Sequence, residues 1–170
     1  MFEVNSIVVY GSNGIFKVID VGPLHAKHLD SKRSYYTLKS IYTTETIYIP
    51  TNTTVYMRNI ISQEKAMALL QKMPALEDTI FPDSNMHALK EYYESYLLTP
   101  DPEALIQLAR SIYTKRQNAE EIGKKLGQID QRYWKRAEDL LYGELAVALN
   151  VARDNVEEYV EKYIQLSHRS

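Results

Sequence analysis

The stretch SIVVYGSNGIFKVIDV, Ser6 to Val21, decides how the chain begins to fold. Two apolar, β-branched runs, Ile7 to Tyr10 and Ile15 to Val21, flank GSNG, in which Asn13-Gly14 readily supplies positive φ. That pattern predicts a hairpin. The same chemistry recurs in SYYTLKSIY (Ser34 to Tyr42), ETIYIP (Glu45 to Pro50) and Thr54 to Asn59, with the polar loop LDSKRS (Leu29 to Ser34) between two of the runs. Five short strands with no helix between them predict a curled antiparallel sheet, an N-terminal Tudor/SH3-like β-barrel.

After Ile61 the apolar period changes from two to 3.6. Ser62 is a suitable N-cap for a helix to Met73, with Ala66, Leu69 and Leu70 on one face. Pro74 to Asn85 carries two prolines and reads as a connector to a helix over Asn85 to Leu98. In TPDP, Asp101 caps and Pro102 opens a helix to Asn118, with Leu105, Leu108, Ala109 and Ile112 as its apolar face. Gly123 and Gly127 place a turn in Ala119 to Asp130. A long helix is expected from Gln131 to Leu149, burying Leu140, Leu141, Leu145 and Leu149. A last helix over Arg153 to Leu166 would bury Val156, Tyr159, Val160 and Tyr163. The expected fold class is α+β, a barrel over residues 1–61 followed by an all-α domain over 62–170.

Composition narrows the function classes. The chain has 170 residues, 45% of them hydrophobic, and no Cys, which excludes disulfide frameworks, thiol catalysis and thiolate metal sites. No run reaches the roughly 18 to 20 apolar residues of a membrane span, and MFEVNSIVVY lacks a secretion signal, so the expected location is the cytoplasm. GSNG is not a phosphate loop, because no Gly-Lys-Ser/Thr follows and the glycines lead into a strand. His25 and His28 in HAKH would point to opposite faces of a strand, and no nearby carboxylate completes a metal site. Neither catalysis, cofactor, metal nor small-molecule substrate is expected.

The net charge of −2, from 20 basic and 22 acidic residues, gives no global attraction to nucleic acid. Charge is nevertheless uneven. Arg110, Lys115, Arg116, Lys124, Lys125, Arg132, Lys135 and Arg136 make the centre of the helical half basic, and a helical hairpin around the Gly-containing turn would gather them on one rim able to grip phosphates. The 14 tyrosines read mainly as strand and amphipathic core residues, and Trp134 as a structural residue of the later helix.

Together these patterns resemble the CarD family of bacterial RNA polymerase-binding transcription regulators. IVVYGSNGIFKVIDV is similar to the family's opening hairpin, YYTLK (Tyr35 to Lys39) and IYIP (Ile47 to Pro50) to its central strands, and VYMRNII (Val55 to Ile61) to its closing strand through Arg58. ARSIYTKR (Ala109 to Arg116) and RAEDLLYGELA (Arg136 to Ala146) are similar to its helical segments, in the same order. The resemblance implies a Tudor-like domain that binds the RNA polymerase β subunit and a helical domain that contacts promoter DNA non-specifically at the upstream edge of the melted bubble. The open complex is stabilised without catalysis.

Carried onto this chain, the polymerase contact is an edge strand with Ile47, Tyr48, Ile49 and Pro50. The DNA contact combines Met86, His87 and Lys90 with the basic residues Lys115, Arg116, Lys124, Lys125 and Arg132. Met86, or Asn85 with the alignment shifted by one, stands where the family often has a Trp wedge, and Gly11 and Asn13 where its first turn usually has Pro and His. Two other readings use the same elements: a protein-binding adaptor without DNA contact, and an RNA-binding SH3-like module in residues 1–61.

Overall fold

A computed structural model describes residues 1–25, 27–73 and 85–169, with side-chain burial described up to residue 162. The chain divides into two compact units, Met1–Ile60 and Ile61–Ser170.

The first unit is a five-stranded antiparallel sheet: β1 (Ile7–Tyr10), β2 (Gly14–Gly22), β3 (Tyr35–Ser40), β4 (Thr46–Pro50) and β5 (Met57–Asn59). Its hydrogen-bonded order is β4-β3-β2-β1-β5, so β4 and β5 are the two edges. The expected barrel is an unclosed sheet here, with no β4–β5 ladder among the described residues. Alternation buries Val8, Phe16, Val18, Tyr36, Leu38 and Ile49 in one cluster.

Two strands are shorter than their propensities predict, and local side-chain bonds are the reason. The Ser40 hydroxyl accepts from the Tyr42 and Thr43 amides at 3.3 and 3.1 Å and ends β3. Thr53 N–H donates to Pro50 O at 3.0 Å and the Thr53 hydroxyl accepts from Val55 N–H at 3.2 Å, so a turn replaces the start of β5. Such bonds offer the backbone an alternative to the ladder. In β2 the register shifts between Val18 and Asp20, leaving Ile19 bulged. His25 and His28 lie between β2 and β3 and are not strand residues, so the alternation argument does not apply to them.

The second unit holds α1 (Gln63–Lys72), α2 (Met86–Leu97), α3 (Pro102–Glu121), α4 (Gln128–Leu149), a 3₁₀ turn at Arg153–Asn155 and α5 (Val156–Arg169). Ser62, Asn85 and Asp101 each cap a helix by accepting a backbone N–H from Lys65, Ala88 and Glu103 respectively. α3 runs past Asn118 to Glu121 and ends in a Schellman arrangement. Gly123, at φ 72°, donates to Glu120 O, and Lys124 N–H donates to Ala119 O. α4 begins at Gln128, ahead of the expected Gln131, with Gly127 at its N-cap.

Leu70, Leu97, Leu108, Ile112, Leu145 and Val156 are fully buried at the centre of this unit. Leu140 and Ala109 are only half-buried, and Tyr159 is exposed. The connector expected before Asn85 and the Tyr163 side chain lie outside what is described. No helix among the described residues is long and apolar enough to cross a membrane.

Candidate protein and nucleic-acid interfaces

On the sheet, β4 is an edge whose open groups follow from the ladder's phase. Ser40 N–H bonds Glu45 O and Thr51 N–H bonds Ser34 O, so the residues pairing through main-chain bonds with β3 are Glu45, Ile47, Ile49 and Thr51. Thr46 and Tyr48 therefore turn their N–H and C=O groups to the open edge. Pro50 ends that run, since it has no N–H and its carbonyl accepts from Thr53. Ile49 is buried, Ile47 and Pro50 are half-buried, and Tyr48 is 52% exposed. Edge hydrogen-bonding capacity and an outward aromatic coincide at Tyr48.

In the helical unit the expected basic rim is partitioned by tertiary partners. The Arg110 guanidinium donates to Met73 O. Lys115 is withdrawn from the surface, its Nζ 3.0 Å from Asp130 Oδ1. Arg136 Nη1 lies 2.8 Å from Glu94 Oε1. Lys115 thus bridges α3 and α4. Arg116, Lys124, Lys125 and Arg132 are exposed.

Three of these four line one cleft. It holds about 500 Å³ between the end of α3, the turn and the start of α4, and is lined by Arg116, Lys124, Lys125, Trp134 and Lys135, with Glu120 and Glu138 among the other residues. The Schellman turn at Gly123 carries Lys124 and Lys125, both exposed, into its lining. Arg116 lies over the Trp134 ring at 4.8 Å, and its Nε also bonds Glu120 at 3.1 Å. Tyr113 meets the indole edge-on at 6.4 Å. The Glu138 carboxyl is held above its ordinary value by burial first and then by Glu157 and Asp139, against the opposing pull of Arg153 and a hydrogen bond from Trp134.

Met86, His87 and Lys90 lie apart from these, at the start of α2. Met86 is the first helical residue and 66% exposed; it borders a shallow apolar cleft of about 380 Å³ with Leu89, Gly127 and Ile129. His87 Nε2 is 3.0 Å from Glu91 Oε1, and Lys90 is exposed. The sequence-level grouping missed Trp134 as a cleft residue. Arg116 and Trp134 are equidistant from Lys125 in sequence, and residues equidistant from the turn of a helical hairpin meet across it.

Among the described residues no cluster of three or more His, Asp or Glu side chains is arranged to hold a metal. In comparisons with protein-family models and with curated proteins, nothing matches the chain.

Proposed function

We propose that the chain is a non-enzymatic transcription regulator of the CarD type. Its Tudor-like first unit docks on the RNA polymerase β subunit through β4, and its helical unit contacts promoter DNA and stabilises the open complex in the bacterial cytoplasm. The observation that carries this reading is the open β4 edge, where Thr46 and Tyr48 offer main-chain groups beside an exposed Tyr48 ring. A strand added there gains affinity from main-chain bonds and selectivity from alternate side chains.

Docking makes the second contact intramolecular. A non-specific DNA site in the usual range of roughly 10⁻⁴ to 10⁻⁶ M is then occupied through effective concentration. Arg116, Lys124, Lys125 and Arg132 supply the phosphate contacts, with Lys90 and the apolar Met86 at a second position. Preference for opened over closed promoter shifts that equilibrium by a coupling of about 1 to 3 kcal/mol.

Calorimetry of the whole chain against an isolated polymerase β lobe tests the reading. Micromolar binding abolished by Tyr48→Glu supports it; no binding by the unsubstituted chain overturns it. A protein-binding adaptor is the second reading, favoured by the internal engagement of Arg110, Lys115 and Arg136, which depletes the basic surface. Loss of salt-dependent DNA association with retained β-lobe binding would select it.

A further inference from the structure

We infer that the cleft between α3 and α4 is a binding site for single-stranded nucleic acid, with Trp134 and Arg116 as its stacking platform and Lys124 and Lys125 as its phosphate contacts. The inference deepens the reading of the helical unit as a nucleic-acid contact and does not depend on polymerase docking.

Three observations converge on it. The chain's one tryptophan is in this cleft, backed by Tyr113 and covered by the Arg116 guanidinium. Single strands are bound by basic grooves combined with flat π surfaces, because every unpaired base has a face to stack and its phosphates follow the groove. A guanidinium plane is itself such a surface, and here the indole holds it in place.

The second observation is charge. Arg116, Lys124, Lys125 and Lys135 line the cleft together with Glu120 and Glu138, a formal excess of two positive charges in a chain that is net negative. Arg116 and Lys135 each have a carboxylate neighbour on their own helix, Glu120 at 3.1 Å and Asp139 at 3.4 Å. With Asp139 counted, the excess is one positive charge, and the cleft cations outside these two pairs are Lys124 and Lys125, both exposed.

The third is size. About 500 Å³ is within the range of pockets that enclose a small-molecule-sized group. A base paired in a duplex presents only its edges to the grooves, so its face is unavailable to this platform. An unpaired base can enter.

The sole tryptophan is also the probe. The full-length chain is titrated with a short oligothymidylate, its ribose counterpart oligouridylate, a duplex of matched length and an oligoglutamate peptide, following Trp134 fluorescence and, with labelled ligands, anisotropy. Saturable quenching by the single strands is expected, with no quenching by the duplex; tighter binding of the deoxy or the ribo strand identifies the natural source. Lys124→Ala with Lys125→Ala should lower the log–log salt slope by about 1.4, from roughly 0.7 per phosphate contact on single strands. Both side chains are exposed, and an unchanged thermal midpoint will show that the doubly substituted chain folds.

Several results would overturn the inference. Duplex binding with unchanged fluorescence and no single-strand binding leaves the promoter contact intact and removes this cleft from it. Binding of no nucleic acid overturns both readings of the helical unit. Equal quenching by oligoglutamate makes the cleft a docking patch for acidic protein. A salt slope indifferent to the double substitution excludes the lysines as its contacts.

Discussion

Lys115 of α3 and Asp130 in the first turn of α4 form an ion pair, Nζ to Oδ1 3.0 Å, with only 18% and 6% of their side chains exposed. The Tyr93 hydroxyl of α2 donates to the same carboxylate oxygen, so one atom joins three helices. Removing one partner of such a pair leaves the other charged and desolvated. Asp130→Ala is expected to destabilise the helical unit by about 3 to 5 kcal/mol, and Asp130→Asn, which keeps an acceptor, by less. Urea unfolding followed by circular dichroism measures both.

Glu94 carries a prediction with a definite pH sign. Burial raises its carboxyl, but hydrogen bonds from Arg136 and Tyr133 outweigh that and hold it below its ordinary value. The stability it contributes is present above the unfolded value of about 4.3 and is lost as pH falls through the lower folded value. Glu94→Gln should therefore destabilise at pH 7, by about 1 kcal/mol given its partial exposure, and be neutral in strong acid. Thermal midpoints across that range check it.

Glu138 has the opposite sign. Its raised carboxyl means that the folded chain favours the protonated form, so its contribution is full below the ordinary carboxylate range and lost as pH rises through the folded value. Glu138→Gln keeps an acceptor for the Trp134 indole N–H and removes the penalised charge. Its thermal midpoint should exceed the parent's at pH 7, and the two should converge as pH falls below the ordinary carboxylate range of about 4.

Gly11 sits at φ 51°, where proline cannot, and its N–H donates to Tyr56 O at 2.9 Å. A Cβ built there would also come within 2.7 Å of Val55 Cγ1. Gly11→Pro should cost roughly 3 kcal/mol or more. Gly11→Ala should cost about 1 to 2 kcal/mol, since left-handed φ is penalised for any Cβ and Val55 is exposed enough to move. Denaturant midpoints of the sheet unit decide it.

These residues also show what could be read from the sequence. β-Branched runs revealed the strands, and Ser62 and Asp101 revealed two helix starts, because both signals are local. α4 was placed too late because Gly127 caps it without a side-chain bond, so no Ser, Thr, Asn or Asp marks the start. Strand pairing alone could not fix closure, since a turn built on Thr53 shortens β5. The rim was less legible still. Whether a lysine faces solvent or a carboxylate depends on partners such as Asp130 for Lys115 and Glu94 for Arg136, far away along the chain. Lys124 and Lys125 kept their expected exposure because a Schellman turn, not a helix face, carries them.

The shortness of the open run on β4 has a consequence for aggregation. Only Thr46 and Tyr48 offer main-chain groups to an incoming strand, and Pro50 then interrupts the edge. Fibrillar stacking needs long uninterrupted edges, typically segments of about six or seven residues that template copy after copy. This edge is too brief to nucleate one. On the β4 edge, indiscriminate β-sheet growth is thereby limited by a proline and one carbonyl already in use.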